Sequence, residues 1–301
     1  MSKECVDIKI LVTGAKGQLG TDIMQELTAR GISSIGVDID GFDITDRQAV
    51  SDANRLHQPN VVIHCAAHTA VDKAEDEPEL CRQINEEGTR NIALACKETG
   101  AKMLYISTDY VFEGNGSHFH KPHDPTNPLS VYGKTKLDGE IAVQEILDKF
   151  FIVRISWVFG QHGNNFVKTM LRLGKERDSL NVVCDQIGSP TYTVDLAKLL
   201  CDMAVSEKYG VYHATNEGVC SWAEFAEEIF RQAGMDVVVN RIAAVDYPVR
   251  ARRPYNSRLS KDCLDEVGFD RLPEWKDALT NVLVSRSKHL AKHEKDSNHS
   301  Q

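Results

Sequence analysis

Apolar residues along this chain follow two rhythms. Short apolar runs with β-branched residues occur at 8–13, 34–38, 60–67, 102–107, 151–157, 180–184 and 210–214, and each reads as a strand, those at 8–13 and 60–67 as buried ones. Between them lie longer segments with helical spacing. One covers 21–30 and is closed by Gly31; another runs to His57 behind Thr45 or Asp46 as cap. Others cover 79–100, 165–175, 194–206 behind Thr193 or a neighbour, and 221–234 behind Ser221. A further helix opens at Ser130, with Pro128 just upstream, and the Gly, Pro, His and Asn of 114–128 make that stretch a loop. Strands alternating with helices predict an α/β fold.

The residues after the first strand narrow this to a Rossmann-type doubly wound parallel sheet. Gly14-Ala15-Lys16-Gly17-Gln18-Leu19-Gly20 sits between strand and helix. Glycines in that context let backbone N–H groups approach a pyrophosphate at a helix N-terminus. Asp38 ends the second strand, where an acid binds ribose hydroxyls and repels a 2′-phosphate; NADH is therefore favoured over NADPH. Thr108 closes the fourth strand, at the carboxyl ends where ligands sit in open α/β sheets. Tyr132 and Lys136 stand four apart on one helix face. The ammonium is expected to favour the phenolate and lower the tyrosine pKa, giving a proton donor for a carbonyl. Gly88, inside the helical pattern 79–100, marks close packing or a bound group.

Composition excludes several roles. The 301 residues suffice for one large domain or two coupled ones, and 42% hydrophobic with 26% charged is globular. A net charge of −9 argues against nucleic-acid binding. Met1 to Cys5 is no signal peptide, and no apolar run spans a bilayer. The eight cysteines form no Cys-x-x-Cys pair and point to a reducing cytoplasm. No grouping of His, Cys and carboxylates has the spacing of a metal site, so no metal residue is assigned. Arg250, Arg252 and Arg253 make the densest cationic stretch, either a solvated loop or a diphosphate contact.

The order of strand, glycine loop, acid, Ser107-Thr108 and Tyr132-x-x-x-Lys136 resembles the extended short-chain dehydrogenase/reductases. Within them the chain resembles the dTDP-4-dehydrorhamnose reductases. The likeness rests on residues 66–75, Ser107 to Phe112, Tyr132 to Lys136, Arg154 to Phe159, Gly163 to Val167 and Asp185 to Thr191, and it extends over about 8–280. It implies a Rossmann domain at 1–155, a smaller interleaved C-terminal substrate-binding lobe at 156–285, and a polar tail at 286–301. It further implies reduction of a 4-keto nucleotide-sugar, with Thr108, Tyr132 and Lys136 catalytic. Cofactor contacts carried over are Gly14, Gly17, Gln18, Leu19, Gly20, Asp38, Asp43, Ile44, Ala67, His68 and Thr69, with Tyr132 and Lys136; substrate contacts are Thr108, Asp109 and Trp157. His64-Cys65 stand where the family commonly has Asn-Ala. Asp22 replaces a glutamate that some members use in a metal-bridged dimer, so monomer and homodimer both stay open. Two other readings are an epimerase of the same superfamily and a regulatory subunit like that of methionine adenosyltransferase.

Overall fold

A computed structural model describes residues 8–285. The first half runs β1 (Lys9–Thr13), α1 (Gln18–Ala29), β2 (Ser33–Val37), α2 (Arg47–His57), β3 (Val61–His64), α3 (Val71–Asp76) and α4 (Pro78–Arg82). A π-helical turn (Gln83–Gly88) leads to α5 (Thr89–Thr99), β4 (Lys102–Thr108), a 3-10 turn (Asp109–Val111), α6 (Val131–Ile146) and β5 (Phe150–Ile155). The second half adds β6 (Val158–Phe159), α7 (Phe166–Leu173), β7 (Ser179–Val183), β8 (Ile187–Gly188), β9 (Thr191–Tyr192), α8 (Thr193–Ala204) and β10 (Gly210–His213). Then come β11 (Cys220–Ser221), α9 (Trp222–Ala233), β12 (Val238–Ile242), β13 (Asn256–Ser257), α10 (Asp262–Asp265) and a helix over 275–285.

Six strands form one parallel sheet in the order β2-β1-β3-β4-β5-β10. The period-two geometry of a strand splits its side chains between two cores. Ile10, Val12, Ile63, Leu104, Phe151 and Val153 pack with α1 and α8 on one face. Leu11, Val62, Met103, Tyr105 and Ile152 pack with α2, α5 and α6 on the other. Because β2 and β3 flank β1 on opposite sides, the chain diverges there and leaves a crevice at the carboxyl ends. Short pairs of strands, β7 with β12, β6 with β9, and β8 between β11 and β13, belong to the region after residue 155. Its separate core contains Phe159, Phe225, Ile229, Trp275 and Leu279. The α8–β10 segment returns to the main sheet from within that region, so the two parts interleave.

Caps fall where polar side chains can serve them. Asp46 accepts from Gln48 and Ala49, Ser130 from Gly133, and Ser221 forms a capping box with Glu224. Other boundaries differ from expectation. Helix α1 starts at Gln18 rather than 21, because the glycine loop itself turns into the helix. Strand β3 ends at His64 and β5 at Ile155, since Cys65 onward and Trp157 leave the sheet to line a ligand crevice. The expected helix 79–100 contains the π turn. Thr193 is the first residue of α8, with Tyr192 at the cap position and no side-chain cap. The stretch 186–193 holds two short strands, and the elements between 238 and 285 have no counterpart in the sequence reading. The polar tail expected at 286–301 lies outside the described residues. Among the described residues no helix is long and apolar enough to cross a membrane.

Candidate active site

A cleft of about 1030 Å³ opens over the crevice between β1 and β3. Its lining brings together Gly14, Gly17, Gln18, Leu19, Gly20, Asp38, Asp43, Ile44, Ala67, Thr69, Thr108, Asp109, Tyr132, Lys136 and Trp157. Of the residues expected at the site, His68 alone is not part of this lining. Its backbone is held just behind: the N–H donates to Asn85 Oδ1 at 2.7 Å and the carbonyl accepts from Asn85 Nδ2 at 3.1 Å.

The glycine loop fits a dinucleotide. Gly14 adopts φ +65°, and a Cβ there would lie 2.7 Å from Ala66 N. A Cβ on Gly20 would lie 2.1 Å from Gly14 O. No side chain caps α1, so the N–H groups of Gln18, Leu19 and Gly20 keep no side-chain acceptor where they border the cleft. A diphosphate suits that cradle. Asp38 sits beside it and accepts from Lys16 N (3.0 Å) and Ile39 N (2.9 Å), while the Lys16 ammonium pairs with Asp40. Ile44 fills the space a side chain at position 88 would need, since a Cβ on Gly88 would come within 2.7 Å of it. That close packing accounts for the glycine in the helical pattern.

Helix α6 carries the reacting groups. Its face presents Tyr132, Lys136 and Glu140 at successive turns. Lys136 Nζ donates to Ile106 O at 2.7 Å and lies 4.1 Å from the centre of the Tyr105 ring. Burial pulls its pKa down to about 7, and the Glu140 carboxylate works against that pull. Glu140 is wholly buried; it accepts from Ser107 Oγ and grips Arg154 through two hydrogen bonds of 2.9 and 2.7 Å. Burial drives the Tyr132 pKa upward, with a Thr108 hydrogen bond opposing and the Asp109 charge adding to it. The expectation that Lys136 lowers the tyrosine pKa is not met: the shift is upward, because desolvation of the phenolate dominates.

Thr108 Oγ1 donates to Asp109 Oδ1 at 3.0 Å. Burial raises the Asp109 pKa to about 6, against hydrogen bonds from Ser257 and Thr108, and its Oδ2 has no partner. Tyr110 packs edge-on against Tyr132 at 5.5 Å. Trp157 holds the left-handed backbone at φ +49° and stacks on Trp222 at 3.7 Å. A non-glycine residue in that region costs energy that the packing around it must offset.

His64 hydrogen-bonds Thr13 (2.7 Å) and Thr89 (3.2 Å), and burial holds it neutral with a pKa of about 3. Cys65 borders the cleft, its thiol pushed up to about 12 by burial. Asp22 is buried with Oδ2 unpartnered, 3.6 Å from His162 through its other oxygen. The arginine stretch is neither free nor open to a ligand at two positions: Arg250 pairs with Asp76, and Arg253 with Asp72 at 2.6 Å. Sequence reasoning missed Asn85, the Glu140–Arg154 pair and a cluster of His118, His120 and Asp124 in the 114–128 loop. Gly88 is the one local signal of the π turn that aims Asn85; the other groupings join residues far apart or folded together by turns.

This fold and site define a nicotinamide-dependent oxidoreductase of the short-chain dehydrogenase/reductase type. Comparison with known proteins makes the assignment narrower. The family described as RmlD substrate binding domain matches residues 8–287, and the chain belongs to that family. A dTDP-4-dehydrorhamnose reductase of Aggregatibacter actinomycetemcomitans is 42% identical, over 91% of this chain and 98% of its own. The crystal structure of a dTDP-4-dehydrorhamnose reductase from Clostridium acetobutylicum is similar at TM-score 0.91 and 45% identity, covering 93% of this chain and all of that one. One from Bacillus anthracis, in complex with NADP, has TM-score 0.91 and 41% identity with the same coverage.

Proposed function

We propose that this chain reduces the 4-keto group of dTDP-4-dehydro-L-rhamnose to give dTDP-L-rhamnose, using NADH or NADPH. The observation that carries this reading is the meeting of Thr108, Tyr132 and Lys136 with the glycine loop around one cleft. When bound, the dihydronicotinamide supplies hydride to the carbonyl carbon. Tyr132 gives its proton to the carbonyl oxygen, and its raised pKa keeps that proton in place until the oxygen becomes basic. Lys136, when charged, offsets the phenolate left behind. Thr108 turns its hydroxyl from Asp109 toward the same oxygen and orients it. Asp109 and Trp157 hold the substrate.

Asp38 opposes a 2′-phosphate by charge, so NADH is preferred; the NADP bound by the Bacillus anthracis relative supports entry of either cofactor. The part before residue 155 holds the cofactor, and the lobe after it, from which α8 and β10 return to the sheet, holds the sugar nucleotide together with Thr108 and Asp109. The chain acts in the cytoplasm as a monomer or homodimer; the seven described cysteines, all free thiols, support a reducing setting. Relatives at 41% to 45% identity being reductases speaks against the epimerase and regulatory readings.

The test is loss of NADH or NADPH absorbance on mixing with freshly generated dTDP-4-dehydro-L-rhamnose. Stoichiometric oxidation is expected, with NADH the better reductant. Tyr132→Phe should lower kcat by about 10²–10⁴-fold while cofactor still binds. A folded Tyr132→Phe that keeps most of its turnover would sink the assignment of the proton donor. An absence of oxidation with cofactor bound would sink the reaction.

A further inference from the structure

The loop that leads into α6 gathers three metal-ligating side chains away from the cleft. His118 and His120 are two apart in the loop, and their rings come together with centroids 4.6 Å apart. The next four residues fold back: Asp124 N donates to Lys121 O at 3.1 Å, and Asp124 Oδ2 accepts from Lys121 N at 2.8 Å. This turn returns the carboxylate to the histidines. One donor atom from each of the three residues lies within 4.8 Å of the others, the one such group among the described residues.

We propose that His118, His120 and Asp124 bind one divalent transition-metal ion of the zinc class. Two imidazoles and a carboxylate suit Zn²⁺, Co²⁺ or Ni²⁺ better than Mg²⁺ or Ca²⁺, which prefer oxygen alone. The size is right after modest closure. Donors spaced 4.8 Å apart surround a point about 2.8 Å from each, and Zn–N bonds are about 2.0–2.1 Å. Each donor therefore moves by less than about 1 Å.

The freedom to close is distributed unevenly, as a metal site needs. His120 is the fixed ligand: it is buried, its ring stacks on Phe112 at 4.4 Å, and its main chain bonds Arg258 O and Ser260 N. His118 is exposed and meets His120 edge-on at 4.6 Å, so it can rotate; the turn holds Asp124 through Oδ2, and a carboxylate oxygen of Asp124 lies within 4.8 Å of the histidine donors. Asn256 Nδ2 donates to the His118 carbonyl at 2.7 Å and lies 3.5 Å from His120 Nε2, which fixes the segment between the two rings. The exposed side leaves room for water as the remaining ligand. The ion acts as a clip, not a reactant. Pro122 O, between the ligands, accepts from Arg154, whose other nitrogens hold Glu140 beneath Lys136. A bound ion would brace this wall of the loop.

The experiment uses the full chain without an affinity tag. Zn²⁺ is titrated calorimetrically, and Co²⁺ is followed by visible absorption. One equivalent should bind, with cobalt d–d bands and no thiolate-to-cobalt charge-transfer band. Thermal unfolding should move to higher temperature with one equivalent of Zn²⁺. His118→Ala and Asp124→Asn should each weaken binding at least about tenfold. Both should leave NADPH affinity unchanged, which verifies folding. The proposal is overturned by no binding to the natural chain, by unchanged affinity in both variants, or by a thiolate band that places the metal on cysteine.

Discussion

Lys136 decides how the site responds to pH, because its charge is lost close to neutrality. Burial lowers its pKa to about 7, with Glu140 opposing. As pH rises through that value the ammonium disappears, and with it the charge that favours a phenolate when Tyr132 gives up its proton. We expect kcat/KM for reduction to fall above about pH 7, since that ratio reports ionisations of the free enzyme. Stability moves the other way. The folded pKa lies below the 10.5 of an unburied lysine, so between about 7 and 10.5 only the unfolded chain still binds the proton. Lys136 therefore contributes rising stability across that window, and that contribution is lost as pH falls through 7. Asp109 does not confuse the stability result: its pKa is raised from 3.8 to about 6, so its contribution is full below 3.8 and is lost as pH rises to about 6, beneath the Lys136 window. Initial rates across about pH 5 to 9, for the natural chain and Lys136→Met, test this. A natural-chain profile that stays flat from pH 7 to 9, or a break that persists in the variant, would remove Lys136 from the explanation.

At the scale of elements, the glycine loop and α1 are one device, and Gly20 shows it. Alanine in a helix interior is favoured over glycine by about 1 kcal/mol. Here that gain loses, because the new Cβ would sit 2.1 Å from Gly14 O and 2.8 Å from Ala15 Cα, both backbone atoms that cannot swing aside. Gly20→Ala should destabilise the chain by about 1–3 kcal/mol in urea unfolding. It should also weaken cofactor binding at least tenfold, roughly 1.4 kcal/mol, by displacing the cradle. Unchanged stability and unchanged affinity together would show that the loop is not the cradle. The loop was legible in sequence because strand, glycines and helix adjoin, and short apolar β-branched runs alternating with helical spacing exposed most of the sheet for the same reason. Trp157 showed its strand-end place but not its left-handed backbone. What could not be read were features made by distant residues meeting. Asn85 holds His68 only because a π turn rotates it inward, and Glu140 meets Arg154 only after β5 lies down beside β4. The reversed pKa of Tyr132 depended on burial, a property of the whole packing.

The described residues form two parts, a sheet with a core on each face and a smaller lobe with a core of its own, yet the chain path makes it hard for either part to melt alone. Helix α8 and strand β10 come after β6 to β9 in sequence but supply Leu196, Leu200 and Tyr212 to the sheet's core. Asn216, fully buried, then ties the parts together. Its Oδ1 accepts from Tyr192 N at 2.7 Å, while Nδ2 donates to Asp195 Oδ2 at 3.0 Å and Pro273 O at 2.9 Å. Unfolding the smaller lobe would leave these groups unsatisfied and strip α8 from the sheet. We therefore expect a single cooperative transition. The three tryptophans give a clean test, since Trp157, Trp222 and Trp275 all belong to the smaller lobe's core. Tryptophan emission reports that lobe, whereas far-ultraviolet circular dichroism reports the whole chain. Their urea midpoints should coincide. NADPH at one hundred times its Kd should then shift both by about 2.7 kcal/mol, although its cradle lies on α1 in the other part. Midpoints, not intensities, are compared, because Trp157 lines the cleft and a bound cofactor would quench it directly. If tryptophan emission changed at lower urea than circular dichroism, or failed to shift with cofactor, the two parts would be independent. The site between them would then be held together by ligand rather than by the fold.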